Sequence, residues 1–312
     1  MNLRITPRSL PNDIRLDDYV ILKTLSRGGF SYVYIAKDVN SGERVVLKEY
    51  IPTKFSKRDS NLGVVARNEK SAEHFNHGRS LFLQEATSLA KLKHPNIVKV
   101  SNFFSANGTV YMVMQFEEGH NLYSYIKKHK GFLSEQFLLT VFPQLLDGLE
   151  AIHQAGFLHL DIKPGNVHLR PGGSPILLDF GAVHPIMKTR SKAPAQVVSP
   201  GFSPIEQYNR GYVGPWSDIY AVGATMRNCI DHRPPPAANL RDDEDTMKPA
   251  SLVFQKHYSP ELLKAIDWSM EIDPLLRPQS VAELLDVLPV FAPDSNDEGD
   301  EEDGNDKFRI GE

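Results

Sequence analysis

The string His159-Leu160-Asp161-Ile162-Lys163-Pro164-Gly165-Asn166 puts a carboxylate, an ammonium and a carboxamide within a short stretch. Asp161 is placed to accept the proton of a hydroxyl, Lys163 to neutralise a phosphoryl group in transfer, and Asn166 to hold a metal ion. Thirteen positions after Asn166 comes Asp179-Phe180-Gly181, directly behind the apolar run Ile176-Leu177-Leu178. A carboxylate that leaves a buried strand at a glycine suits a Mg²⁺ bridging two phosphates. Upstream, Val45-Val46-Leu47-Lys48 carries a lysine out of an apolar strand, and such an ammonium needs a partner. Glu85 is the candidate, on a helix whose buried side Leu81, Leu89 and Leu92 mark; the pair would hold the ammonium against α- and β-phosphates. Further upstream still, Leu25-Ser26-Arg27-Gly28-Gly29-Phe30-Ser31-Tyr32-Val33 reads as a tight turn between strands, where small residues bring backbone N–H groups close to a nucleotide's phosphates. A Gly-Gly hairpin alone is usually only a turn, and Asp-Phe-Gly alone is common. The fixed order of the four strings is what carries the argument.

The elements that must position these groups show as periodicity. Tyr19–Leu25, Tyr32–Asp38 and Arg44–Tyr50 read as a three-strand meander, turning at the glycine pair and at Asn40-Ser41-Gly42. Residues 52–80 are polar, basic and without clear period, an insertion before a helix expected from about Ser80 to Lys93 and stopped at His94-Pro95. Ile97–Phe104 and Thr109–Phe116 are two further strands. The pattern then turns helical: Leu122–Lys128, and Ser134 to Gln154 with Ser134 as N-cap, Gly156 as stop and a kink expected at Pro143. Short strands follow at Val167–Leu169 and Ile176–Leu178, and helices at Asp218–Asp231, Ser259–Met270 and Ser280–Leu288. A β-rich part followed by an α-rich part is the α+β class. No internal repeat is present.

A chain of 312 residues can bury a large core in one unit or two lobes, and 41% hydrophobic with 24% charged residues is ordinary globular composition. No run approaches the roughly 18–20 apolar residues that span a bilayer, and the first residues lack the apolar centre of a signal peptide. The single cysteine, Cys229, excludes an internal disulfide framework and fits a reducing cytoplasm; its apolar surroundings indicate a buried helix position. The net charge of −4 is uneven: residues 294–312 hold nine acids against Lys307 and Arg309, or −7, which leaves +3 for the body. That is too little for a nucleic-acid footprint, and the acidic block is expected to be a disordered tail. The 52–80 insertion holds six basic residues (Lys54, Lys57, Arg58, Arg67, Lys70, Arg79), read as a solvated surface or, more sharply, as a docking or regulatory element that biases Glu85.

With Ser203-Pro204-Ile205-Glu206, Trp216-Ser217-Asp218 and Asp273-Pro274 to Arg277-Pro278, the four strings resemble the eukaryotic-like protein kinase family over roughly residues 15–292. Lys48-Glu49-Tyr50-Ile51-Pro52 makes the likeness strongest to bacterial serine/threonine kinases. The resemblance implies the bilobal protein-kinase fold: an extension at 1–16, a β-rich N-lobe with one main helix at 17–117 carrying the 52–80 insertion, an α-rich C-lobe at 118–293 and the tail at 294–312. It implies a cytoplasmic serine/threonine protein kinase using ATP and Mg²⁺, with Mn²⁺ as a substitute. Its partners would be protein substrates, with neither nucleic acid nor a membrane segment involved.

By motif position the resemblance makes Asp161 the base, aided by Lys163, with Lys48–Glu85 the ion pair and Asn166 and Asp179 the metal ligands. The nucleotide would lie against Ser26, Gly28, Gly29, Ser31, Val33 and Val46. Met114 falls at the gatekeeper position, Gln115, Phe116 and Glu117 at the hinge, and His168 on the floor of the adenine pocket. Glu206 and Arg277 match a buried ion pair, Asp218 a brace of the catalytic loop, and Lys163 with Ser199 argues for serine and threonine acceptors. The chain also departs from the pattern. Ser26 and Ser31 replace usual glycines, at roughly a kcal/mol of strain if φ must be positive. Leu160 replaces an arginine that pairs with an activation-segment phosphate, so gating through Thr189 or Ser191 is not expected. Ile205 replaces a proline, read as neutral. The basic residues His184, Lys188, Arg190 and Lys192 suggest attraction of an acidic substrate or of the tail in cis. A nucleotide-binding pseudokinase scaffold is the alternative. A small-molecule phosphotransferase is disfavoured by the Ser199-Pro200 segment with Glu206 and Arg277.

Overall fold

The computed structural model describes residues 9–178, 184–185 and 198–289, without the side chains of 85, 88, 89, 184 and 185. The chain divides into two compact units, Met1–Lys93 with Val98–Glu117, and His94–Ile97 with Glu118–Glu312.

Alternation of apolar residues builds the first unit. Strands β1 (Arg15–Leu16), β2 (Tyr19–Arg27), β3 (Ser31–Asp38) and β4 (Arg44–Tyr50) are followed by a hairpin, β5 (Ser56–Arg58) and β6 (Val64–Ala66). Helix α1 (Glu69–Leu89) comes next, then β7 (Val100–Ala106) and β8 (Thr109–Gln115). The main sheet is antiparallel, in the order β1-β2-β3-β4-β8-β7. Register sorts its side chains by face, because successive residues alternate. Val33 pairs with Lys48, Lys48 with Met112, and Val46 with Met114, so these share one face. Tyr34, Leu47, Glu49, Tyr111 and Val113 share the other.

On the Lys48 face, Tyr50 fastens α1: its ring lies 5.8 Å from Phe75 and 5.6 Å from Phe82, and burial pushes its hydroxyl up to about 12. The buried stripe of α1 is thus Phe75, Phe82 and Ala86, whereas Leu81 is 44% exposed, against the sequence expectation. The helix also begins at Glu69, not near Ser80, and ends at Leu89, not Lys93. Its first turns are polar and contain Gly78, a usual helix breaker; the glycine is there because a Cβ would stand 2.0 Å from the Tyr50 hydroxyl. Mid-helix Gly→Ala ordinarily stabilises by up to ~1 kcal/mol. Gly78→Ala is expected to do the opposite, lowering stability by about 1–3 kcal/mol through overpacking against a ring held on two sides. An unchanged or raised urea midpoint would contradict this.

The other face is sealed by a buried polar cluster. Glu49, 0% exposed, accepts hydrogen bonds from Arg58 Nη2 (2.5 Å), the Tyr34 hydroxyl (2.7 Å) and the Tyr111 hydroxyl (2.6 Å). The Leu10 amide donates to the Tyr34 oxygen (3.2 Å). Burial, and then the Glu49 charge, raise both tyrosines above their ordinary range. Burial would lower Arg58, but the Glu49 bond outweighs it and the guanidinium is raised. Arg58 therefore belongs to the core and not to a solvated basic surface. It comes from the 52–80 segment, which the structure resolves into the β5–β6 hairpin and the first turns of α1. The hairpin is also tied to the β7–β8 turn by Val64 N–H to Asn107 O (2.7 Å).

In the second unit, β9 (His120–Asn121) leads into α2 (Leu122–Lys128), capped by Asn121 Oδ1 on the Ser124 amide. The long α3 (Glu135–Gln154) is capped by Ser134 Oγ on the Phe137 amide (3.1 Å), continues through Pro143 and stops at Gly156. Its buried stripe includes Leu138, Val141, Leu145, Leu149 and Ile152. Strand β10 (Phe157–Leu158) precedes a 3₁₀ turn at Pro164–Asn166, then β11 (Val167–Leu169), β12 (Pro175–Leu177) and β13 (His184–Pro185). β9, β11 and β12 form one small sheet, and β10 pairs with β13. Helices α4 (Ile205–Tyr208), α5 (Pro215–Asp231), α6 (Ala238–Asp243), α7 (Ala250–Val253), α8 (Pro260–Ser269) and α9 (Val281–Leu285) follow, the last ending three residues before the expected Leu288. Helix α5 is buried from Ser217 to Ile230; Cys229 lies in it, its thiol raised by burial. Among the described residues no helix is long and apolar enough to cross a membrane. The acidic tail and the basic residues 188–192 lie outside the described residues.

Candidate active site

The loop between β10 and the 3₁₀ turn is anchored from below by α5. Asp218, 0% exposed, accepts from the amides of His159 (2.9 Å) and Leu160 (2.7 Å), and its Oδ2 lies 2.8 Å from His153 Nε2 at the end of α3. Burial alone would raise this carboxyl; the His153 bond and the His159 contacts hold it below the usual range. Leu160 has φ 57°, the left-handed region, and its buried side chain clusters with Leu158 and Val213.

Asp161 emerges next, and its carboxylate collects donors. Lys163 Nζ lies 2.8 Å from Oδ1 and 2.9 Å from Oδ2. The Ser199 hydroxyl donates to Oδ1 (2.8 Å) and itself accepts from Lys163 Nζ (3.0 Å). Asn166 Nδ2 reaches Oδ2 (2.9 Å) and the Asp161 carbonyl (2.8 Å), so its own carbonyl oxygen takes no part in these bonds. The side chains of Lys163 and Asp161 keep 29% and 16% exposure, so the cluster is open to solvent. Asp161, Lys163, Asn166 and Ser199 are thereby brought together. His168, on β11, lies with Nε2 3.1 Å from the Glu118 carbonyl. Asp179 lies outside the described residues.

Behind the cluster, Glu206 on α4 is paired with Arg277 through bonds of 2.8 and 3.2 Å, both groups being nearly inaccessible. Ser217 adds a hydroxyl to Glu206 (2.7 Å), while Arg277 also donates to the carbonyls of Glu271 and Ile272 and lies 4.8 Å from the Tyr220 ring. Two residues of this frame escape sequence reading: His153, whose only signal is a histidine in the last turn of α3, and Gln207, whose Nε2 donates to the Leu160 carbonyl (3.0 Å).

In the first unit, Lys48 is buried, with its ammonium 5.7 Å from the Phe82 centroid, within cation–π range. Glu85 lies on α1, its side chain outside those described. Ser26 pairs with Val33 and Ser31 with Tyr50 as strand residues, and neither has positive φ, so the strain considered for the two serines does not arise. The turn they flank is closed by Gly28 N–H to Ser31 O (2.8 Å). Gly28 and Gly29 do not have positive φ either, and a Cβ on Gly29 would meet nothing within 4 Å. The turn itself does not demand glycine at 29, whose carbonyl accepts from the Thr53 amide (2.8 Å) and hydroxyl (3.2 Å) and whose Cα carries open space where a side chain would stand. Val46 and Met114 are cross-strand partners, Gln115 ends β8, and Arg44 stacks on Phe116 at 4.3 Å, with Glu117 next in the chain.

Comparison with known proteins places the chain in a family. The family described as "Protein kinase domain" matches residues 19–287. The chain is 29% identical to "Serine/threonine-protein kinase Nek3" of Mus musculus over 72% of its length. It is 30% identical to "Serine/threonine-protein kinase D" of Synechocystis over 88%, and 26% identical to "Probable serine/threonine-protein kinase PknB" of Lactococcus lactis over 82%. It spans only 40%, 52% and 37% of the lengths of those relatives, respectively. The solved structure "PpkA-294 apo form" superposes with a TM-score of 0.79 at 35% identity, covering 90% of this chain and 99% of that one.

Proposed function

The chain belongs to the protein kinase domain family, and from that premise we propose that it transfers the γ-phosphoryl of ATP to serine and threonine hydroxyls of proteins. The observation that carries the reading is the donor cluster on Asp161: a mostly buried carboxylate that keeps 16% exposure and is oriented by Lys163, Asn166 and Ser199. The acceptor oxygen attacks the γ-phosphorus, its proton passes to the Asp161 carboxylate, and the bond from the γ-phosphorus to the bridging oxygen breaks, leaving ADP with the electron pair. Lys163 offsets charge on the transferred group and aligns the carboxylate. Ser199, bonded to both, lies in the segment that would receive a peptide and favours hydroxyl acceptors of serine and threonine type.

Mg²⁺, with Mn²⁺ as substitute, would be held by Asn166 and Asp179. The Asn166 side-chain oxygen Oδ1, which takes no part in the two bonds made by Nδ2, is the hard donor such an ion takes. When bound, it neutralises charge on the phosphates. Lys48 with Glu85 would hold the α- and β-phosphates. Ser26, Gly28, Gly29, Ser31, Val33, Val46, Met114, Gln115, Phe116, Glu117 and His168 would contact the nucleotide, and the open space beside the Gly29 Cα supports close approach of phosphate. Lobes at 17–117 and 118–293, and action in the cytoplasm, belong to the same proposal.

The test is transfer from labelled ATP with Mg²⁺ to a generic basic protein, read as phosphoserine and phosphothreonine, with Asp161→Asn as control. Nucleotide binding without transfer would favour a pseudokinase scaffold instead. Leu160 offers no cation to a phosphate, so Thr189→Ala and Ser191→Ala are each expected to keep kcat within about twofold. Loss of most activity at either position would restore phosphorylation-dependent gating.

A further inference from the structure

We infer that Gln207 is a positioning residue for Asp161, its carboxamide fixing the peptide that joins Leu160 to the catalytic aspartate; the inference rests on the kinase reading above. Leu160 is a branched residue at φ 57°, a conformation that costs about 1–2 kcal/mol and persists only where surroundings over-determine it. Three contacts do so. Asp218 Oδ1 holds its N–H at 2.7 Å, Leu158 and Val213 enclose its side chain, and Gln207 Nε2 holds its carbonyl at 3.0 Å. That carbonyl shares a rigid plane with the N–H of Asp161, which points to His159 Nδ1 at 3.3 Å. Rotation of this plane would swing the Asp161 carboxylate away from Lys163, Asn166 and Ser199. Gln207 is well placed to prevent it, because its neighbour Glu206 is locked by Arg277 and Ser217. Gln207 thus ties the loop to α4 through the backbone of Leu160.

A carbonyl only accepts, so the residue at 207 must donate. Gln207→Leu removes the donor, and Gln207→Glu sets a carboxylate against the carbonyl unless it is protonated. Loss of one such bond is expected to lower kcat about three- to tenfold, with KM for ATP unchanged. For Gln207→Glu the deficit relative to the parent shrinks as pH is lowered, because the protonated acid regains the bond; for Gln207→Leu it stays constant. His153, His159, Asp161, Lys163, Glu206 and Asp218 face this peptide in every variant and cancel in the ratio. The amide resonance of Asp161 shifts in both variants whether or not the protein turns over. An unmoved resonance, or unchanged kcat with only a lower melting temperature, overturns the inference. An inactive parent with a shifted resonance would instead sink the kinase reading and leave the positioning role standing.

Discussion

Asp161→Asn is expected to lower kcat by about 10²–10⁴-fold, roughly 3–5 kcal/mol of barrier, with little change in KM for ATP. The substitution keeps shape and removes the ability to take a proton. The carboxylate has Lys163 on both oxygens, Ser199 on one and Asn166 on the other, and the backbone beneath it is held by Asp218 and Gln207. The loop therefore keeps its course while the chemistry fails. Steady-state kinetics with a peptide acceptor, alongside a melting curve, check this. A drop of less than about tenfold in a well-folded variant would mean that Asp161 is not the base, since positioned proton acceptors contribute more than that.

Arg58→Met is expected to destabilise the first unit by about 3–5 kcal/mol, because it leaves the Glu49 carboxylate buried without its cation. The pair is 2% and 0% exposed at the side chains, so water cannot replace the guanidinium. The hydroxyls of Tyr34 and Tyr111 still donate to Glu49 but carry no charge. Adding Glu49→Gln should recover much of the loss, since removing both charges avoids an unpaired ion. Urea unfolding of the parent, both single variants and the double variant measures the coupling. A cost below about 1 kcal/mol for Arg58→Met would show the hairpin to be loosely attached, as exposed pairs are.

Why Arg58 was not readable as a core residue illustrates the limits of sequence. Strand β4, at Arg44–Tyr50, and the capped helix α3 were fully legible, because alternation, Ser134 and Gly156 are local signals. Strands β5 and β6, of three residues each, are too short to show a period, and their partner Glu49 lies in a different strand. The start of α1 was hidden for another reason: its polar first turns bury chiefly Phe75, and Gly78 looks like a terminator until Tyr50 is placed beside it. The grouping of Asp161, Lys163 and Asn166 was legible because the three are near neighbours in the chain. Ser199 could be attached to them only through family likeness. His153 and Gln207 act on backbone or on another brace, and no spacing rule announces such contacts.

The four hydrogen bonds on Asp161 have a further bearing on fidelity. A carboxylate has about four lone-pair directions, and here Lys163, Ser199 and Asn166 make four contacts to its two oxygens. Under the proposed function, a base so engaged would bind a stray water only by giving up one of these donors, which would discourage futile hydrolysis of ATP. On the same reading, a protein hydroxyl would displace one donor to be activated. The Ser199 hydroxyl, an oxygen of the same kind as the acceptor, is the donor whose place an acceptor hydroxyl held by a bound peptide would take.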